Sequence, residues 1–224
     1  MGFPLIAPSI LSADFADISK ALGMVESAGA DMIHLDVMDG QFVPPITFGS
    51  KMVSDIKART SLELDVHLMT MTPERHAEEF IAAGADWLTF HLEACVHSHR
   101  LAQKIREAGA KTGISIVPST PVSCLRPLLP FIDLVLVMTV DPGYSGQALL
   151  AFCLDKVQDL VKIRREEGLG FLVAVDGGVG LQTIGEIGRR TPDILVVGSA
   201  FFRAESPADF VTALKSFGSS GSDR

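Results

Sequence analysis

The chain has 224 residues, 47% of them hydrophobic and 21% charged, and 19 basic against 27 acidic side chains give a formal net charge of −8. That length and apolar content build one large core and exclude a disordered chain, while the acidic balance, with no basic patch, excludes a nucleic-acid partner. Cys95, Cys124 and Cys153 have neither metal-motif nor disulfide-framework spacing, which fits a reducing compartment. Met1-Gly2-Phe3-Pro4 lacks a charged start and a cleavage site, and no apolar run reaches membrane-spanning length, so a cytoplasmic protein without a membrane partner is expected.

From the N-terminus onward, short β-rich apolar runs alternate with amphipathic segments. Strands are predicted over Leu5–Ile10, Met32–Val37, Leu62–Leu68, Trp87–His91, Thr112–Val117, Leu134–Met138, Phe171–Val175 and Ile194–Val197. Helices are predicted over Asp14–Ser27, Gly49–Ala58, Pro73–Ala83, Ser98–Ala108, Val122–Leu129, Leu150–Glu166, Leu181–Arg189 and Pro207–Phe217. Ser12 or Asp14, Thr72-Pro73 and Ser206-Pro207 supply helix-start signals. Ala28-Gly29-Ala30-Asp31 recurs as Ala83-Gly84-Ala85-Asp86, with Ala108-Gly109-Ala110-Lys111 a close variant. Each copy falls where a helix should stop and a strand begin, the glycine providing a left-handed helix end. Eight βα units close into a (β/α)8 TIM barrel, a single domain over residues 1–217, and the small polar stretch 218–224 is expected to fray. A doubly wound sheet would show fewer strands and a glycine-rich loop after the first one; Ser9-Ile10-Leu11-Ser12-Ala13-Asp14 stands there instead.

Catalytic groups in such barrels gather at the carboxyl ends of the strands. Alternation places His34, Asp36 and Met38 on one face of the second strand, ahead of an Asp39-Gly40 turn. Polar groups on an apolar strand are costly unless paired. His67 ends the neighbouring third strand and Asp176 ends the seventh, on the far wall. Two imidazoles and two carboxylates converging at one mouth suit a single divalent ion with N and O ligands. Zn²⁺ heads that list, and Fe²⁺, Mn²⁺ and Co²⁺ also fit. Asp65 shares the face of His67 one layer deeper, as an acceptor orienting that ring or as a buried structural group. No lysine falls at a strand's carboxyl end, which removes the nucleophile of a Schiff-base aldolase.

Glycine-rich elements end the sixth, seventh and eighth strands: Asp141-Pro142-Gly143-Tyr144-Ser145-Gly146-Gln147, Gly177-Gly178 and Gly198-Ser199. Backbone amides at such loops hold phosphate, here without help from Arg or Lys. Met38, Met69 and Met138 are read as core filling that could also floor a dry site. His97 and His99, near Cys95, are read as exposed positions, and His91 and Glu93 as lining the mouth with no chemistry assigned.

These motifs together resemble one family. Pro8-Ser9-Ile10-Leu11-Ser12-Ala13-Asp14-Phe15, His34-Leu35-Asp36-Val37-Met38-Asp39-Gly40, Leu64-Asp65-Val66-His67-Leu68-Met69, Asp141-Pro142-Gly143 with Gly146-Gln147, and Val175-Asp176-Gly177-Gly178-Val179 are similar to ribulose-phosphate 3-epimerases from about Ala7 to Phe202. The resemblance implies interconversion of D-ribulose 5-phosphate and D-xylulose 5-phosphate in the pentose phosphate pathway. It implies His34, Asp36, His67 and Asp176 as metal ligands, and Asp36 and Asp176 as the acid/base pair. It also implies Ser9 and His67 as substrate contacts, with Gly143, Tyr144, Ser145, Gly146, Gly177, Gly178, Gly198 and Ser199 around the phosphate. Ser145 replaces a usual glycine and Tyr144 a common phenylalanine, which leaves D-allulose-6-phosphate 3-epimerase as the nearest alternative activity.

Two carboxylates on opposite walls suit an epimerisation through an enediolate stabilised by the divalent ion, one removing a proton and the other delivering one to the opposite face. A metal-dependent phosphosugar aldolase or hydrolase could use the same ligands, and a non-catalytic phosphosugar-binding barrel is the third class. A homo-oligomer is expected, with the first helix able to present an apolar patch.

Overall fold

The structure is a computed structural model in which residues 4–219 are described. Eight parallel strands run β1 (Leu5–Pro8), β2 (Met32–Met38), β3 (Glu63–Met69), β4 (Trp87–His91), β5 (Lys111–Ile116), β6 (Leu134–Met138), β7 (Leu172–Asp176) and β8 (Ile194–Val197). Between and after them lie α1 (Ile18–Ser27), α2 (Ser50–Lys57), α3 (Pro73–Ala82), α4 (Ser98–Glu107), α5 (Leu154–Glu167), α6 (Ile184–Gly188), α7 (Ser199–Phe202) and α8 (Pro207–Ser219). Each strand pairs in parallel with its sequence neighbour from β2 to β8, and β8 pairs with β1. A single parallel bridge between Ser9 and His34 joins β1 to β2. The (β/α)8 barrel read from the sequence is therefore present.

Two apolar layers hold it together. Outward-facing strand residues such as Ile6, Ile33, Leu35, Val66, Leu88 and Val135 pack with the inner stripes of the helices. Burial of each such side chain contributes on the order of 1.5–3 kcal/mol. The interior is divided. Ala7, Leu134, Leu136, Met138, Ala174, Ile194 and Val196 form an apolar cluster mainly on β1 and β6 to β8, joined by Met32 and Trp87 from the first residues of β2 and β4. On β2 to β5 the buried set includes His34, Asp36, Asp65, His67, Thr89, His91 and Ser115. That asymmetry puts the ionisable groups on one side of the mouth, with Asp176 facing them from β7.

The recurring aspartates act at the opposite end. Asp31, Asp86, Asp133 and Asp193 each accept the amide that opens a neighbouring strand, from Ile6, Leu64, Thr112 and Val173, all at 2.8 Å. Each also pairs with a basic side chain, Lys215, Lys57, Arg106 and Arg164 respectively. Gly29, Gly84 and Gly109 stop their helices with φ of +72°, +107° and +95°, as the repeat requires.

Several boundaries differ from expectation. The helix expected over Val122–Leu129 is instead two short 3-10 turns, Val122–Cys124 and Leu129–Phe131. Pro127 between them removes an amide and clashes with the preceding turn, and Pro130 repeats the effect. The first strand ends at Pro8 rather than Ile10, and α1 starts at Ile18, where the Asp17 carboxylate accepts the Lys20 amide. Helix α6 covers only part of Leu181–Arg189, and α7 has no counterpart among the predicted helices. Helix α8 extends through Ser219, so of the stretch 218–224 expected to fray Gly218 and Ser219 lie in the helix, and Ser220 to Arg224 lie outside the described residues. Among the described residues no helix is long and apolar enough to cross a membrane.

Candidate active site

Asp36 is the centre of the polar half. Its position late in β2 points it inward, and three neighbours engage it. Ser9 donates to Oδ2 at 2.5 Å, while His34 Nε2 and His67 Nδ1 lie 3.2 and 3.1 Å from Oδ1. Burial resists charge on Asp36, but the two imidazoles hold its carboxyl well below the usual carboxylate range. The Ser9–His34 bridge that closes the ring delivers the Ser9 hydroxyl to the same spot.

Each imidazole is held on its far side as well. His34 Nδ1 donates to Asp65 Oδ2 at 2.7 Å. From the sequence Asp65 is expected either to orient the His67 ring or to be a buried structural group; it is buried, and strand register sets it opposite His34, the ring it orients, with His67 opposite Asp36. Burial opposes an imidazolium at His34, yet the Asp36 and Asp65 carboxylates raise its pKa well above the ordinary value. His67 Nε2 meets His91 Nε2 at 2.9 Å. Burial drives His91 down to about 4, so it is neutral.

Asp176 closes the site from β7. Its backbone carbonyl accepts the Thr139 amide at 2.8 Å, and the Thr139 hydroxyl spans the Asp176 and Gly177 carbonyls. Burial, with the Asp36 charge adding to it, pushes its carboxyl up to about 6. His34, Asp36, His67 and Asp176 each bring one ligand atom within 4.8 Å of the others. Two carboxylates held this close in a low-dielectric wall need a proton or a cation between them, and the N and O donors suit a divalent ion. The residues therefore fit such an ion.

A cavity of ≈780 Å³ opens over this cluster. Ser9, Asp36 and Asp176 line it, with Met38, Met69 and Met138 contributing apolar wall. Gly143, Tyr144, Ser145, Gly146, Gly177, Gly178, Gly198 and Ser199 line it too, while His34 and His67 sit fully buried behind it. Gly178 has φ +66°, and an added Cβ would stand 2.6 Å from the Leu149 amide nitrogen, so only glycine brings that backbone against the cavity. Among the described residues no Lys or Arg lines it.

Ser12 also lines this cavity, with its Oγ buried and without a partner; only its place one helical turn beyond Ser9 in the sequence hints at this. His91 and Glu93, expected at the mouth, are not among the cavity-lining residues; His91 is fully buried against His67. His97 and His99 are exposed, as expected.

Fold and site together define a (β/α)8 barrel whose mouth holds a His/Asp cluster that could bind a metal ion, under a rim of glycine-rich loops. Residues 5–202 match the model of the ribulose-phosphate 3 epimerase family. A ribulose-phosphate 3-epimerase from Treponema pallidum (strain Nichols) is 52% identical over 197 residues, 88% of this chain and 90% of that protein. One from Bacillus subtilis (strain 168) is 45% identical, covering 88% of this chain and 91% of its own length. The chain belongs to the ribulose-phosphate 3-epimerase family. At the level of fold alone, the crystal structure of KGPDC from Streptococcus mutans superposes with a TM-score of 0.71 at 18% identity, covering 97% of this chain and 98% of that one.

Proposed function

We propose that the protein interconverts D-ribulose 5-phosphate and D-xylulose 5-phosphate by moving a proton off one face of C3 and returning one to the other. The observation that carries this reading is geometric: the Asp36 and Asp176 carboxylates come from opposite walls, β2 and β7, and meet within 4.8 Å at one cavity mouth. Asp36 stays ionised, and Asp176 at about 6 can hold or release a proton near neutrality. A pair with such separated pKa values supplies one base and one acid at the same moment, and exchanges the roles when the reaction runs backwards.

The remaining residues prepare that exchange. Ser9 and the two imidazoles fix the Asp36 carboxylate, and the Thr139 hydroxyl fixes the backbone beneath Asp176. The methionine walls exclude water without offering competing donors. Amides of Gly177, Gly178, Gly198 and Ser199, with the Gly143 to Gly146 loop, hold the phosphate and set the distance from anchor to C3. When bound through His34, Asp36, His67 and Asp176, a divalent ion supplies a Lewis acid that polarises the ketose carbonyl. Zn²⁺ is the ion put forward, and metal analysis of the purified protein distinguishes it from Fe²⁺, Mn²⁺ and Co²⁺. A cytoplasmic homo-oligomer completes the reading; sedimentation checks the association.

The test is turnover on ribulose 5-phosphate and on allulose 6-phosphate. Faster conversion of the pentulose supports this assignment, and preference for the hexulose would replace it with the longer ketose phosphate.

A further inference from the structure

The mechanism above leaves His91 and Glu93 unused, although they join the cluster to the outside of the barrel. His67 has Nδ1 turned to Asp36 and Nε2 turned to His91 Nε2 at 2.9 Å. If Nδ1 is the atom offered to a cation, Nε2 carries the proton and donates it to His91. His91 then accepts through Nε2 and keeps its own proton on Nδ1, which faces Glu93 Oε2 at 3.4 Å. That arrangement satisfies the His67–His91 and His91–Glu93 contacts and leaves the His67 Nδ1 lone pair facing Asp36 Oδ1 at 3.1 Å, a pair of acceptors that a cation between them would satisfy.

Glu93 is itself held. Its Oε1 accepts the Val117 amide at 3.0 Å and the Thr120 hydroxyl. That loop is strapped in turn by Lys156 of α5, whose ammonium donates to the carbonyls of Val117, Pro118 and Thr120 at 3.1, 2.7 and 2.7 Å. The Phe42 ring lies 4.5 Å from the His91 ring, and His91 lies 4.9 Å from His67, so the three rings limit one another's rotation.

We propose that His91 and Glu93 are positioning residues that fix the tautomer and ring plane of His67, presenting Nδ1 to the divalent ion. The proposal rests on the metal reading of the site. His34 receives the same service from Asp65 but through the opposite nitrogen, so the two imidazoles face the cluster by Nε2 and Nδ1 respectively. Partners of this kind change metal affinity by about 10–100-fold when removed.

The test is Zn²⁺ affinity, measured by competition with a chromogenic chelator on the full chain. His91→Leu should weaken binding by about 10–100-fold; His91→Gln, which keeps an acceptor facing Nε2, should recover most of it, and Glu93→Gln should lose less than His91→Leu. In the Zn²⁺-loaded wild-type protein and in His91→Gln, the His67 Nε2 proton should give a downfield, exchange-protected NMR signal that is absent from His91→Leu. Unchanged affinity and an unchanged signal in His91→Leu would overturn the proposal. So would His91→Gln binding as weakly as His91→Leu, since His91 would then only fill space. A wild-type chain that takes up no Zn²⁺, Fe²⁺, Mn²⁺ or Co²⁺ would overturn the metal reading itself, an outcome told apart because it precedes any substitution.

Discussion

Asp36 and Asp176 divide the labour at the scale of single residues because their surroundings differ. Asp36 has imidazoles and a hydroxyl to stabilise its charge; Asp176 has apolar burial and a facing carboxylate. Asp176→Asn should therefore lower turnover by about 10²–10⁴-fold, the usual share of a general acid or base. Metal should be retained through His34, Asp36 and His67, and metal analysis beside the rate measurement checks both. Metal uptake should also depend on pH. The ligand forms need Asp176 ionised and His34 neutral, and both groups bind protons more tightly in the folded chain than their ordinary values. Affinity should rise as pH increases through about 6 and continue to rise while His34 loses its proton, which calorimetry in buffers of different ionisation enthalpy would show as proton release. The same raised pKa makes Asp176 stabilising below its unfolded value and progressively less so as pH passes about 6. These four residues were legible from the sequence because alternation and strand order alone bring them to one mouth. The partner of Asp65 was not, because it depends on the register between β2 and β3, which no single strand specifies.

At the scale of elements, the two ends of the barrel carry separate duties. Asp86 accepts the Leu64 amide and pairs with Lys57 at 2.6 Å, far from the mouth. Asp86→Ala should cost about 1–2 kcal/mol of stability, mostly through the lost acceptor, and leave kcat unchanged; denaturant unfolding and steady-state kinetics measure the two. Gly178→Ala should do the reverse. Its Cβ would press on Leu149 from a left-handed backbone, moving the proposed phosphate anchor, so KM for the phosphorylated ketose should rise more than stability falls. The Ala-Gly-Ala-Asp repeat was readable as a helix stop, but the aspartate's work in tying adjacent strands was not, since its acceptor role is made to the neighbouring strand rather than along the chain. The segment around Pro127 reads as helical from its apolar spacing, and proline stereochemistry overrides that periodicity.

For the molecule as a whole, the fold supplies what the chemistry needs. A ring of parallel strands with a polar half and an apolar half sets carboxylates on opposite walls, under a rim of glycine-rich loops. The eight βα units were visible as alternating periodicity, and the signature stretches at strands two and seven pointed to the family that the comparisons establish. The most direct test of the two-base account is proton NMR of ribulose 5-phosphate incubated with the enzyme in D₂O. Solvent deuterium should enter C3 of the intact ketose as ribulose 5-phosphate and xylulose 5-phosphate equilibrate; equilibration with the C3 proton fully retained, or cleavage into two smaller products, would contradict it.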